Sequence, residues 1–153
     1  MRRVLLAFVV VLGAVVVSAQ TDPAVGTWKM NPAKTKYDPG PAPKSNTIVI
    51  TAVSNGIKVS AKGVDGEGNP TSTDYTVMYD RKDVPVKGPA AYDSVSASRI
   101  DPNTTQLTRK KGGKVVQTAT RAVSSDGKTM IVTTTGTDEK GRKINTVAVF
   151  DKQ

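Results

Sequence analysis

Neither cysteine nor histidine occurs anywhere in the 153 residues. Without thiols the fold has no disulfides to lean on, so stability must come from core burial and sheet pairing. Without imidazole, Ser-His and Cys-His catalysis and every His-ligated metal site are excluded. Leucine is nearly missing as well. Beyond Ala19 only Leu107 remains, against fifteen valines and nineteen threonines. Aromatics make up 5% of the chain, with one tryptophan and two phenylalanines. Helical domains need leucine and alanine, whereas β-branched side chains suit a pleated surface, so the composition speaks for strands.

The one long apolar run is N-terminal. Arg2 and Arg3 precede an uninterrupted apolar stretch from Val4 to Val17, and Val17-Ser18-Ala19 offers small residues for cleavage. This is the pattern of a signal peptide over residues 1–19, leaving a mature chain from Gln20. The run is short for a bilayer span of roughly 20 residues, and no cysteine follows it for lipid attachment, so no stable membrane anchor is expected. The expected location is secreted or periplasmic, and a domain this size without cysteine favours a bacterial source. Residues 20–153 suffice for one domain and not for two. The formal charge of +9 falls to +7 once Arg2 and Arg3 are removed. In an exported protein that charge favours an anionic envelope surface or acidic small molecule as partner over nucleic acid, and it also keeps the domain soluble.

What fills the mature chain is period-two alternation. Ile57, Val59 and Ala61 alternate with Lys58, Ser60 and Lys62; Tyr75, Val77 and Tyr79 alternate with Asp74, Thr76 and Asp80. Turn chemistry separates such runs at hairpin spacing: Asn55-Gly56, for which a type I′ turn with two positive φ angles is expected, then the Gly66 and Gly68 loop, Gly112-Gly113 and Asp126-Gly127. Strands are predicted at 25–30, 46–53, 56–62, 71–79, 84–87, 94–100, 104–110, 114–123, 128–135 and 142–150. No room is left for crossover helices, so neighbours pair antiparallel. The expected fold is all-β, an up-and-down meander closed into a barrel of about 8–10 strands, because closure removes the two sticky edges. Asn31 to Ser45, with prolines at 32, 39, 41 and 43, is expected to cross one barrel end as a loop.

Gly26-Thr27-Trp28 at the start of the first strand resembles the Gly-x-Trp signature of the lipocalins. The strand count and the closing Val149-Phe150-Asp151-Lys152 resemble the related fatty-acid-binding proteins, and the whole mature chain is similar to small exported bacterial proteins of lipocalin-like (calycin) type. The resemblance implies a barrel that binds a small hydrophobic or amphipathic ligand inside. It implies that Gly26 and Trp28 are structural, with Trp28 plugging the closed end beneath a stacked basic side chain. The chain departs from the fatty-acid-binding pattern in two places. Asn31 to Ser45 is too short and proline-rich for a helical lid, and the last-strand arginine and tyrosine of the carboxylate clamp are replaced by Ala148 and Phe150. Arg121 falls near the family's other cavity arginine.

Among polar residues, Arg99 and Arg121 share the apolar parity of their strands, Arg99 with Val95 and Ala97, and Arg121 with Val115, Ala119 and Val123. A charge on that face costs several kcal/mol unless paired or solvated, so each arginine sits either at a rim or in a cavity that receives an anion. Tyr75 and Tyr79 could add hydroxyl donors. These four form the candidate ligand site. Arg109, Lys110, Lys111 and Lys114 around Gly112-Gly113, and Lys140, Arg142 and Lys143, form basic hairpin tips that would meet an anionic surface first. Asp65 to Asn69 offers oxygens at alternate positions but lacks the terminal glutamate of a calcium loop. No metal or cofactor is expected, and scattered acids and base-less serines argue against an enzyme. Two functions remain: a non-catalytic carrier of an amphipathic, anionic ligand, and a solidly packed barrel acting as an envelope interaction or inhibitor module. A cavity of roughly 300–1,000 Å³ separates them.

Overall fold

The computed structural model describes residues 21–89 and 91–153; the expected signal peptide and Gln20 lie outside them. Ten strands follow in order: β1 Gly26–Met30, β2 Ser45–Val53, β3 Gly56–Val64, β4 Pro70–Met78, β5 Val84–Pro85, β6 Ser94–Asp101, β7 Thr104–Lys111, β8 Lys114–Val123, β9 Thr129–Thr137 and β10 Lys143–Lys152. All pairs are antiparallel in one sheet, ordered β4-β3-β2-β1-β10-β9-β8-β7-β6-β5. The first and last strands of the chain pair through Trp28 and Lys152, which turns the meander into a barrel. The remaining seam, between β4 and β5, is spanned by two backbone bonds: Asp74 and Lys87 exchange N–H donors at 2.9 and 3.0 Å. The barrel is nearly closed, as the edge argument requires.

Two turns refine the expected chemistry. The β2–β3 hairpin pairs Val53 with Gly56, so its two turn residues are Ser54 and Asn55, one earlier than the Asn-Gly reading. Only Asn55 has positive φ, at 56°. Gly56 is required for another reason: a Cβ there would lie 2.2 Å from the Val77 carbonyl oxygen. The turn with two positive φ angles is Gly112-Gly113, at 54° and 80°, joining β7 to β8 as a two-residue loop.

The proline-rich segment does more than cross a barrel end. Past Met30 it first runs along β10, where Lys36 and Val147 exchange backbone bonds at 2.8 Å and the Asn145 N–H donates to the Asp38 carbonyl at 2.9 Å. It thereby extends the β1 side of the barrel before bending over the opening. No helix occurs among the described residues, so no helical lid is present there.

The core gathers at the end where β1 begins. Trp28, Ile50, Ile57, Val77 and Met130 are fully buried there, with Phe150. Trp28 donates its indole N–H to the Ala24 carbonyl at 2.8 Å, and the Lys152 ammonium lies 5.1 Å from its ring centroid. Gly26 makes room for that lysine, since a Cβ there would sit 2.7 Å from Lys152 Cε. The plug beneath a stacked base is thus in place.

Candidate functional site

The four candidate residues separate into two pairs at different depths. Tyr79 and Arg99 belong to the closed end. The Tyr79 hydroxyl donates to Asp22 Oδ2, Arg99 Nη2 donates to the same oxygen at 2.5 Å, and the Arg99 guanidinium lies 4.2 Å from the Tyr79 ring centroid. Arg99 Nη1 donates to the Pro102 carbonyl at 2.9 Å. Arg99 therefore takes the rim alternative. With Tyr79 it ties the N-terminal segment across the barrel bottom, and neither faces a ligand space.

This latch titrates. Burial works to raise the Asp22 carboxyl, but donors from Tyr79, the Ala24 N–H and Arg99 outweigh it and hold the group below 3.8. Tyr79 is pushed the other way, from 10.0 to about 12, by burial and by the Asp22 carboxylate. A depressed acid contributes stability above its unfolded value and loses it as pH falls, whereas a raised phenol contributes below its unfolded value and loses it as pH rises. Unfolding free energy is therefore expected to decline below pH 3.8 and again between pH 10.0 and about 12. Urea denaturation across pH should show both limbs, each smaller in Tyr79→Phe; limbs unchanged in that variant would mean the latch does not form.

Arg121 and Tyr75 lie in the interior. Arg121 is only 4% exposed, and its Nε and Nη2 atoms are buried with no hydrogen-bond partner. No carboxylate among the described residues forms a salt bridge with it. Burial pushes the Tyr75 hydroxyl above its usual value, while the guanidinium groups of Arg121 and Arg109 pull against that rise. Tyr75 thus lies within the field of both cations. The parity that identified Arg121 holds from Gln117 to Val123, all alternately buried. Val115 leaves that face, 59% exposed, because a bulge between Gln117 and Val115 adds Val116 to β8.

Arg109 is the residue that sequence reasoning misplaced. The run Arg109-Lys110-Lys111 predicts a basic tip, but Arg109 follows Thr105 and Leu107 on the inward face of β7. Its Nη1 donates to Gln117 Oε1 at 3.0 Å, and its guanidinium lies 4.9 Å from the Tyr92 ring centroid. The alternation on β7 would have found it; the following Lys110-Lys111 disguised it as part of a solvated run. The tip itself is smaller than expected, since Lys110 pairs with Asp83 at 2.7 Å.

Above Arg109 the barrel opens into a cavity of about 520 Å³. Thr73, Arg109, Gln117, Thr134 and Thr146 from the strands line it, with Tyr37 and Tyr92 from the loops. Tyr37 keeps 42% of its surface, and burial of the rest pushes its hydroxyl upward. Arg121 and Tyr75 do not line this chamber; they lie deeper. The loop Asp65 to Asn69 reaches the rim, where Asp65 accepts from the Glu67 and Asn69 N–H groups at 2.9 and 2.8 Å. Its carboxylate serves the turn.

No family model and no curated protein sequence matches the chain. Among solved structures, it is similar to a zebrafish ileal bile acid-binding protein, complexed with cholic acid, at 11% identity and a TM-score of 0.54 over 86% of this chain and 99% of that one. The similarity is one of fold, a near-closed antiparallel β-barrel of the kind anticipated from the strand rhythm.

Proposed function

We propose that this protein is a non-catalytic, exported carrier or sensor of a small amphipathic anion, held inside the barrel with its head group on Arg121 and Tyr75. One observation carries the reading: a guanidinium 96% removed from solvent, from the 4% exposure of Arg121, keeps two nitrogens without a partner. Leaving a charged donor buried and unsatisfied costs more than the usual 1–3 kcal/mol of a neutral one. A carboxylate offsets that cost through two parallel hydrogen bonds. The chamber above, about 520 Å³, falls in the range of ligand pockets and supports a carrier over a solidly packed interaction module. A fold neighbour solved with cholic acid supports the same ligand class. In the envelope, exposed Lys111 and Lys114 would meet an anionic surface.

Native mass spectrometry of protein purified from its own host tests the proposal and the export together. The intact mass should begin at Gln20, and a co-purifying organic acid should leave on denaturation. A chain that retains Met1 contradicts export; a mature chain with no adduct, and none formed on incubation with fatty acids, contradicts the carrier.

A further inference from the structure

We infer that Arg109 forms a second anion subsite near the mouth, so that the ligand is acidic at both ends: one group on Arg121 and another on Arg109. The inference rests on the proposed carrier function and deepens it.

Its first support is position. Arg109 pairs in register with Gln117, and Thr105 with Arg121, so the two arginines stand four residues apart along the barrel wall. At about 3.3 Å per residue their backbones are about 13 Å apart along the strands, on separate levels of the barrel wall. Arg109 lines the chamber, Arg121 lies deeper on the neighbouring strand, and the buried Tyr75 lies within the field of both cations.

The second support is how Arg109 is held. Gln117 accepts from Nη1 at 3.0 Å and spends its own amide on the Thr137 carbonyl, also at 3.0 Å. Tyr92, almost fully buried, carries the guanidinium on its ring. Both partners are neutral. They fix the guanidinium's position and leave its charge and remaining N–H donors unanswered. No carboxylate among the described residues forms a salt bridge with Arg109.

The third is the surrounding chemistry. Thr73, Thr134 and Thr146 bring hydroxyls to the same chamber, and Tyr37 brings a phenol. A hydrocarbon tail gains little against such a wall, whereas an ionised or oxygen-rich group finds donors on several sides. The outer rim carries Asp38, Asp65, Glu67, Asp138 and Glu139 against Lys140 and Arg142. These acids oppose steering of an anion from bulk solvent, so attraction to Arg109 acts at short range, once the ligand has entered.

Isothermal titration of the mature protein with two probes tests this: dodecanoate, and the straight-chain dicarboxylate dodecanedioate, at a pH where both are ionised. The dicarboxylate should bind about tenfold tighter, well beyond the statistical advantage of two equivalent ends. In Arg109→Met, and in Arg109→Gln as a second variant, that preference should fall to near parity, while Arg121→Met should weaken both probes. If dodecanoate binds and the dicarboxylate gains nothing, the second subsite is wrong and the carrier function stands. A preference that survives loss of Arg109 also overturns the subsite. Failure of wild type to bind either probe overturns the carrier function itself.

Discussion

Trp28→Ala is expected to lower the unfolding free energy by about 3–5 kcal/mol, the range for emptying a fully buried large aromatic site. Trp28 is 0% exposed and is held from three directions: its indole N–H by Ala24, its ring face by Lys152, and its flanks by the surrounding apolar residues. The neighbours cannot collapse into the gap, because β1 is bonded on both sides, to β2 and to β10. The loss should also spread. Ala24 positions the segment that carries Asp22, so the variant should lose much of the acid and alkaline dependence of the closed-end latch. Urea denaturation followed by circular dichroism measures both effects. A variant as stable as the parent would mean that the barrel does not depend on its plug.

Arg121→Met is expected to act in opposite directions on stability and binding. Removing a buried guanidinium with unsatisfied nitrogens should raise the unfolding free energy of the unliganded protein by about 1–3 kcal/mol. Methionine fills similar space without a polar atom. Binding of an anionic amphipath should weaken by about a hundredfold, since truncating one partner of a buried charge pair commonly costs 2–5 kcal/mol. A stabilised protein that no longer binds is the signature of a residue retained for its ligand and not for the fold. If the variant is destabilised and binding is unchanged, Arg121 has a structural partner and the assignment fails.

The barrel was legible because its signals are local and repetitive. Alternation in Ile57 to Ala61 and in Tyr75 to Tyr79, with turn residues between the runs, placed each strand within about two residues of where it lies. Closure followed from the edge argument and the Trp28 plug from a short motif, whereas the base stacked on it, Lys152, is named only by the fold. Legibility stopped at irregularities in the backbone. Parity assigned Val115 to the inner face, but the bulge at Val116 turned it out, and no composition marks that bulge. The Asn55-Gly56 signal named a turn correctly and its residues one place late, because Gly56 answers to β4 packing and not to φ.

The site was half legible. Parity placed Arg121 and Tyr75 in the interior, but it does not distinguish the two ends of a strand, so it groups Arg99 and Tyr79 with them. What separates the pairs is Asp22, a residue far away in sequence that neutralises Arg99 at the closed end. Arg109 was lost for the converse reason, since its charge looked like part of a run although its strand position pointed inward. Each of these outcomes turns on which long-range partner a charge meets.

The central claim is that the unpaired nitrogens of Arg121 are completed by an anion from the ligand. A crystal structure of the mature protein grown with dodecanoate tests it most directly. The carboxylate should lie within about 3 Å of Arg121 Nε and Nη2, the usual reach of a charge-assisted bond, with Tyr75 beside it and the alkyl chain running toward the chamber. A carboxylate bound only outside the barrel, with both nitrogens still unpaired or facing ordered water, would contradict the account.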